Sequence, residues 1–139
     1  MNIMQHELVI TTLGRGTQDF TADVRKAISD CKIKMGLCHL FLKHTSASLM
    51  ICENYDVQVR KDLENFLSRL IPDGDPLFQH TLEGEDDMPA HVRTILTQTE
   101  MNIPITEGAL ALGRWQGIFL YEHRYAAQQR HIILTIIGQ

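Results

Sequence analysis

The segment "HIILTIIG", residues 131–138, constrains the fold more than any other stretch of the chain. It is apolar at consecutive positions, whereas a strand with one solvated face alternates apolar and polar residues. Its apolar character on both faces therefore predicts a strand placed centrally in the sheet. A chain of 139 residues is long enough to build one hydrophobic core, so we expect a single domain over residues 1–139.

The rest of the chain reads as strands alternating with helices. Further strands are predicted at residues 6–13, 37–44, 48–52, 102–106, 109–113 and 117–124. Two segments, 19–34 and 56–71, repeat apolar residues at helical spacing, and a short third helix is expected to begin near Pro89. We expect an α+β fold: one compact domain with a mostly antiparallel, sandwich-like sheet covered by two main helices.

The helix ends carry recognisable signals. Asp19 is the expected N-cap of the first helix, and Gly36 is expected to stop it. Either Asn54 or Asp56 can cap the second helix. The second helix carries one apolar stripe, made by Val59, Leu63, Phe66, Leu67 and Leu70.

Composition narrows the classes of function. The net charge is −4 and the 13 basic residues are scattered, whereas nucleic-acid binders cluster their Lys and Arg. We therefore expect no nucleic-acid partner.

The chain has no run of about 18 apolar residues and its N-terminus lacks signal-peptide features, so we expect no membrane span and a cytoplasmic location. The three cysteines form no CxxC pair, and we interpret them as reduced.

The turn "HTSAS" is the first candidate for chemistry. His44 ends an apolar strand face and is followed by the hydroxyls of Thr45 and Ser46. An imidazole beside hydroxyl donors suits a cleft that holds a phosphate or a metal-bound water. The alternative is a hairpin turn in which the hydroxyls bond their own backbone.

The acidic stretch "HTLEGEDDMPAH" is the second candidate. His80 precedes the acids, Asp86 and Asp87 lie just before the third helix, and His91 falls in its first turn. Imidazoles and a carboxylate suit a divalent ion, with nitrogen ligands favouring zinc and carboxylates favouring magnesium. The alternative is that the acids only stabilise the positive end of the helix dipole.

The segment "GRWQGIFLYEHR" is the third candidate. By strand alternation, Gln116, Glu122 and Arg124 share one face. A Glu and an Arg two residues apart can orient an anion and a proton donor. The alternative is a cross-strand ion pair.

Three long blocks give the chain a family resemblance. They are "GLCHLFLKHTSASLMICENYDVQVRKDLENFL", "HTLEGEDDMPAHVR" and "GALALGRWQGIFLYEHR". In this order they resemble the YjbQ-like family, also called the secondary thiamine-phosphate synthase family, over essentially the whole chain. The resemblance implies a compact α+β fold, a homotrimer, and a polar cleft lined by histidines that hold a metal. One departure is Arg114, which stands where the family usually has Thr.

The resemblance also points to site residues in the three candidate segments. On the resemblance and the residue chemistry together, the expected metal ligands are His44, His80 and His91. The expected catalytic residues are Glu122, Arg124 and Asp87. The expected substrate-binding residues are Thr45, Ser46, Asn54 and Gln116. The expected cofactor is a divalent metal, zinc or magnesium.

The family name implies a weak transfer of a pyrimidine pyrophosphate onto a thiazole phosphate. That reaction needs a cation or an Arg to neutralise the pyrophosphate leaving group. One alternative is metal-dependent hydrolysis of a small phosphorylated metabolite, with Glu122 or Asp87 as general base. Another is a non-enzymatic trimer that binds a metal or a metabolite.

Overall fold

The computed structural model describes residues 1–139, which form eight strands and three helices. The elements are β1 (Asn2–Thr11), β2 (Gly16–Asp19), α1 (Thr21–Cys31), β3 (Met35–Leu42), β4 (Ala47–Glu53), α2 (Val57–Leu70), α3 (Asp87–Leu96), β5 (Glu100–Thr106), β6 (Ala109–Leu110), β7 (Gln116–Glu122) and β8 (Gln129–Gly138).

The strands form two antiparallel sheets. The larger sheet has the order β1-β8-β3-β5-β6, and the smaller has the order β2-β7-β4. In the larger sheet β8 pairs with β1 on one side and with β3 on the other. The interior position predicted for residues 131–138 is therefore confirmed.

One hydrophobic core of 20 buried residues lies between the two sheets and under α1. Alternate residues of the strands point into it, such as Leu40 on β3, Leu120 on β7 and Leu134 on β8. Val24 and Ile28 of α1 close it from the side. The expected α+β class and the single compact domain are confirmed.

Helix α2 differs from the expectation in its burial. Its range and its Asp56 N-cap match the prediction, since the Asp56 carboxylate accepts from the N–H of Gln58 at 2.9 Å. None of its residues is fully buried, however, and Phe66 is 54% exposed. The helix lies against Phe119 and Tyr121 of β7 through Arg60 and Glu64, so its apolar stripe is left partly facing solvent.

The ends of α1 also differ from the prediction. The N-cap is Phe20, and Asp19 instead accepts from the backbone N–H of Thr21 at 2.9 Å. The helix ends at Lys32, which adopts a left-handed conformation with φ of 59°. Gly36 is a residue of β3 and does not stop the helix.

Helix α3 begins two residues before Pro89 and buries a polar face that includes Asp87, Arg93 and Thr94. Ile95 and Leu96, two apolar residues of its last turn, are exposed. No helix of the chain is both long enough and apolar enough to cross a membrane.

We predict that Gly36→Ala destabilises the fold. Gly36 faces Gly138 across the β3–β8 pair, and a Cβ at position 36 would lie 1.9 Å from the carbonyl oxygen of Ile137. Backbone atoms cannot give way as side chains do, so we expect a loss of about 1–3 kcal/mol in the free energy of unfolding, measured with urea.

Gly113→Ala is the matched control, because its Cβ would meet only the Gln116 side chain at 3.3 Å. Its free energy of unfolding should stay within about 0.5 kcal/mol of the wild-type value. Equal stability of the two variants would contradict the prediction.

Candidate metal centre

Two histidines and one carboxylate meet at the start of α3. Asp87 is the first residue of the helix, and His91 lies one turn later on the same face. His80 comes from the loop before the helix. Asp87 Oδ2 lies 2.7 Å from His80 Nε2 and 3.2 Å from His91 Nε2. The three ligand atoms lie within 4.8 Å of one another.

A hydrogen bond to the backbone fixes the orientation of His91. Its Nδ1 donates to the carbonyl oxygen of Thr45 at 3.0 Å, and a carbonyl can only accept. With Nδ1–H bound by the Thr45 carbonyl, Nε2 is directed at Asp87 Oδ2, where it can ligate a cation placed between the two groups. Ligating histidines in proteins are commonly held in this way, with the second ring nitrogen bound to a carbonyl.

Arg124 holds the two acids from behind. Its Nη1 donates to Asp87 Oδ1 at 2.8 Å and its Nε donates to Asp86 Oδ2 at 2.9 Å. Burial by itself would raise the pKa of Asp86, but the hydrogen bonds from Tyr125 N–H and Arg124 outweigh it and lower the pKa. Because Arg124 occupies Oδ1, Asp87 presents Oδ2 to the two histidines.

The donor set fits zinc. Two imidazole nitrogens and one carboxylate oxygen are ligands that zinc takes at about 2.0–2.2 Å, and tetrahedral ligands then lie about 3.3 Å apart. The 3.2 Å separation between Asp87 Oδ2 and His91 Nε2 matches that spacing, whereas the 2.7 Å between Asp87 Oδ2 and His80 Nε2 is a hydrogen-bond distance that would lengthen by about 0.6 Å around an ion. The His80 side chain is 47% exposed and that of His91 is 29% exposed, so one side of the group is open to solvent.

A second arginine ties the loop of His80 to the sheet. Arg15, just before β2, makes a bidentate pair with Asp73 at 2.6 and 3.0 Å. Tyr125 also donates to Asp73 through its hydroxyl. The loop between α2 and α3 is thus fixed at Asp73 by Arg15 and at Asp86 by Arg124. No local pattern indicates the role of Arg15, because its partner lies 58 residues away.

His44 is not brought into this group. Its Nε2 accepts from the backbone N–H of His131 at 2.8 Å, and the two rings stack with centroids 5.8 Å apart. Burial, followed by the charge of Arg130, lowers the pKa of His44. The Nε2 lone pair is already used, so the role of His44 as a metal ligand stays a prediction without support from this geometry.

Glu122 lies in a buried ion pair. It is 1% exposed and accepts from Arg130 Nε at 2.8 Å, from the Thr12 hydroxyl at 2.9 Å and from Arg124 N–H at 3.1 Å. A second contact with Arg130, through Nη2, completes the pair. This geometry favours a structural role, and the predicted part of Glu122 in catalysis stays a prediction.

The predicted substrate-binding residues are divided between two places. Thr45 is exposed and supplies the carbonyl for His91, while the Ser46 hydroxyl accepts from Arg130 at 3.0 Å. Asn54 and Gln116 lie at the opposite end of the smaller sheet, where the N–H of Asn54 donates to Trp115 O at 3.0 Å.

The strand length explains this separation. Ala47 of β4 pairs with Glu122 at one end, and Glu53 pairs with Gln116 at the other. Six residue steps of strand span about 20 Å. Gln116 and Glu122 share a face as predicted, but a shared face does not bring them to the same end. The substrate-binding roles of Asn54 and Gln116 therefore stay predictions.

A buried Ser–His pair was not predicted. The His123 side chain is fully enclosed, with Nε2 2.5 Å from the hydroxyl oxygen of Ser48 and with no partner for Nδ1. Burial lowers the pKa of His123 to about 3. The ring is therefore neutral, and nothing in the alternation of residues 116–124 distinguishes it from a surface histidine.

Comparison with known proteins identifies the family. The family model described as UPF0047 protein YjbQ-like matches residues 6–139. The chain belongs to the YjbQ-like family.

Relatives and solved structures agree with this assignment. The UPF0047 protein sll1880 of Synechocystis is 44% identical, with 97% of this chain and 93% of that protein covered. The UPF0047 protein YjbQ of Escherichia coli is 39% identical, covering 97% of this chain and 98% of that protein. The crystal structure of the conserved hypothetical protein TT1486 from Thermus thermophilus superimposes with a TM-score of 0.85 at 31% identity, over 95% of this chain and 99% of that one. The hypothetical protein APE1520 from Aeropyrum pernix gives 0.89 at 25% identity, over 98% and 99% of the two chains. The fold of this chain is therefore that of these two solved structures.

We predict that His123 makes the fold sensitive to acid. Its pKa is lowered from the ordinary value of 6.5 to about 3 by burial in the native state, so between these values the unfolded chain binds more protons. The free energy of unfolding should fall as the pH drops from about 6.5 towards about 3, with a contribution of up to about 1.4 kcal/mol per pH unit. Urea unfolding at several pH values measures this slope.

In His123→Asn the slope should be smaller than in the wild type. His39→Asn is the control, since His39 lies on the sheet surface beside Glu100 and its loss should leave the His123 contribution in place. Identical slopes for His123→Asn and wild type would show that another group is responsible.

Proposed function

We propose that the chain binds one zinc ion at His80, Asp87 and His91 and that the centre hydrolyses a small phosphorylated metabolite. The observation that carries the proposal is the geometry of His91, whose Nδ1–H is bound by Thr45 O while its Nε2 faces the Asp87 carboxylate. Two imidazoles and a carboxylate with one open side form the ligand arrangement of catalytic zinc sites.

The ion, when bound, supplies a Lewis acid that lowers the pKa of water and polarises a phosphoryl oxygen. The residues of the chain do the positioning. Asp87 and His91 sit one helical turn apart on α3, and Arg124 keeps the Asp87 carboxylate from rotating by holding Oδ1. His80 is the most exposed of the three, so the open side of the group lies at His80.

The local charge favours a cation at this centre. Residues 73–87 contain six carboxylates and no Lys or Arg. Only Arg15 and Arg124 reach these acids from elsewhere in the chain. Clefts lined by one sign of charge concentrate counter-ions, so the segment raises the local concentration of divalent metal.

The shortage of free cations around these carboxylates also favours one of the two candidate reactions, hydrolysis or pyrimidine transfer, over the other. Transfer of a pyrimidine pyrophosphate, the activity that the family resemblance implies, needs cations for the pyrophosphate leaving group. Arg124 is already bound by Asp86 and Asp87, so the zinc ion would be the one cation available for that leaving group, whereas hydrolysis of a phosphomonoester needs only the ion and a water molecule. We therefore place hydrolysis first and keep the thiamine-phosphate synthase reaction as the second candidate, supported by the resemblance.

Elemental analysis of protein purified without an affinity tag tests the metal site. We expect about one zinc ion per chain in the wild type and none in His91→Ala. His44→Ala is the matched control, and it should keep its zinc because His44 Nε2 is bound to the His131 N–H. Zinc retained in His91→Ala, or lost in a folded His44→Ala, would contradict this ligand set.

A substrate panel then separates the functions. Zinc-dependent release of phosphate from small phosphomonoesters, lost in His91→Ala, would support hydrolysis. Formation of thiamine phosphate and pyrophosphate from the two phosphorylated precursors would support the transferase instead. Bound zinc with neither product would leave a metal-binding protein and refute both reactions.

We also propose that the chain assembles as a homotrimer. The outer face of the larger sheet supports this proposal. Its side chains Ile3, Val9, Leu37, Phe41 and Ile137 are exposed and apolar, and Leu37 pairs with Ile137 across β3 and β8. Ile3, Ile137 and Leu37 lie side by side across β1, β8 and β3, while the rest of the face also carries polar pairs such as Glu7 with His131. Exposed apolar groups of this kind mark sites of association between proteins.

Light scattering coupled to size exclusion tests the assembly. We expect a mass about three times the chain mass of 15.9 kDa, and a smaller mass for Leu37→Glu, which puts a charge into the patch. Leu82→Glu is the control, because Leu82 is fully exposed in the loop before α3. A wild-type mass of one chain would exclude the trimer.

A further inference from the structure

The side chains expected to hold a phosphate near the metal centre are already engaged. Arg124 is bound by Asp86, Asp87 and the Glu83 carbonyl, and the Ser46 hydroxyl is bound by Arg130. No free cation therefore remains there for a phosphate group apart from a bound metal. Free cations lie on the other side of β7, beside α2.

A groove between α2 and β2 forms a cavity of about 330 Å³. Its wall on the helix carries Arg60, Lys61 and Asn65, and its wall on the sheet carries Thr17 and Tyr121. A Cβ added at Gly16, which also borders the groove, would meet no atom within 4 Å, so the groove is open above the strand. This is enough space for a small metabolite.

The two cations of the groove have no carboxylate partner, unlike the arginines of the interior. Arg15, Arg93, Arg124 and Arg130 each form a salt bridge. Arg60 instead donates from Nη1 to the backbone carbonyl of Glu53 at 2.8 Å and stacks 4.6 Å from the centroid of the Phe119 ring.

These contacts hold the Arg60 guanidinium in place while leaving its other N–H groups free. Lys61, the next residue, lines the same cavity and forms no salt bridge. An arginine held in this way is suited to binding a phosphate, because its fork of donors matches the phosphate oxygens.

The one acid in the wall is already neutralised. Glu64 receives two hydrogen bonds from Arg93, at 2.7 and 3.1 Å, and one from the Tyr121 hydroxyl at 2.5 Å. Burial would raise the pKa of Glu64, but hydrogen bonds from Arg93, Ser68 and Tyr121 lower it to about 2. With Glu64 paired to Arg93, the charges of Arg60 and Lys61 leave the groove positive.

We propose that this groove is a second binding site, for the phosphate group of a small phosphorylated metabolite. Arg60 and Lys61 contact the phosphate oxygens, and the Asn65 amide and Thr17 hydroxyl lie in the walls to orient the rest of the ligand. The site is independent of zinc, since none of its residues belongs to the His80, Asp87 and His91 group. It lies near that group, because Tyr121 precedes Arg124 by three residues, which is about 10 Å of extended chain.

Titration of metal-free protein with inorganic phosphate and pyrophosphate tests the site. Calorimetry gives the affinity, and amide shifts in a ¹H–¹⁵N NMR spectrum give the location. We expect saturable binding that shifts the amides of Thr17, Lys61 and Asn65. In Lys61→Gln the affinity should fall about tenfold or more, as expected for the loss of one charged hydrogen bond. Lys26→Gln is the matched control, an exposed lysine on α1 that pairs only with Asp30.

Each outcome decides the proposal. Binding that weakens in Lys61→Gln, survives in Lys26→Gln and is unchanged in His91→Ala supports a separate site. No saturable binding to the wild type, equal loss in both lysine variants, or shifts confined to Thr45 and His91 would overturn it. Because the titration uses metal-free protein, failure of the zinc proposal does not affect the result.

Discussion

The buried ion pair between Glu122 and Arg130 is the interaction on which both the fold and the candidate metal centre depend. It joins the last residue of β7 to β8, and so connects the smaller sheet to the larger. Removing two charges from water is costly unless every donor and acceptor is satisfied. Here Thr12 and Ser46 complete the set, which brings the end of β1 and the start of β4 to the same point. The candidate metal centre lies just beyond this point and is joined to it by the carbonyl of Thr45 and the side chain of Arg124.

Local pattern was enough to predict most of the fold. Residues 131–138 are apolar on both faces, which correctly predicted a central position for β8 in its sheet. The Asp56 cap and the helical spacing of apolar residues correctly predicted the range of α2. The burial of the α2 stripe was predicted less well, because periodicity shows which residues share a face and not what that face meets. The short strand β2 was missed, since "GTQD" has no apolar alternation and is held only by its pairing with β7.

The candidate site was predictable where sequence spacing equals spatial spacing. Asp87 and His91 are four residues apart on a helix, so a single turn brings them together. His80 reaches these two residues only because its loop is fixed by Arg15 and Arg124, whose partners are distant in sequence. For the predicted site residues on strands, sequence spacing did not indicate which side chains lie close together. Gln116 and Glu122 share a face, but the length of β7 separates them, and the burial of Glu122 follows from a partner on another strand.

The fixation of the loop between α2 and α3 has a consequence for how family members can diverge. Residues near Asp73 and Asp86 are held by arginines from the sheet, whereas the stretch around Pro76 and Leu77 is exposed and joins no strand or helix. Insertions and deletions are tolerated where the backbone is exposed and free of structural hydrogen bonds. The tip of this loop makes only local hydrogen bonds, through Asp75, so it can vary while the ends of the loop, together with Asp87 and His91, keep their positions. Such an arrangement lets the loop tip vary between relatives without displacing the start of α3.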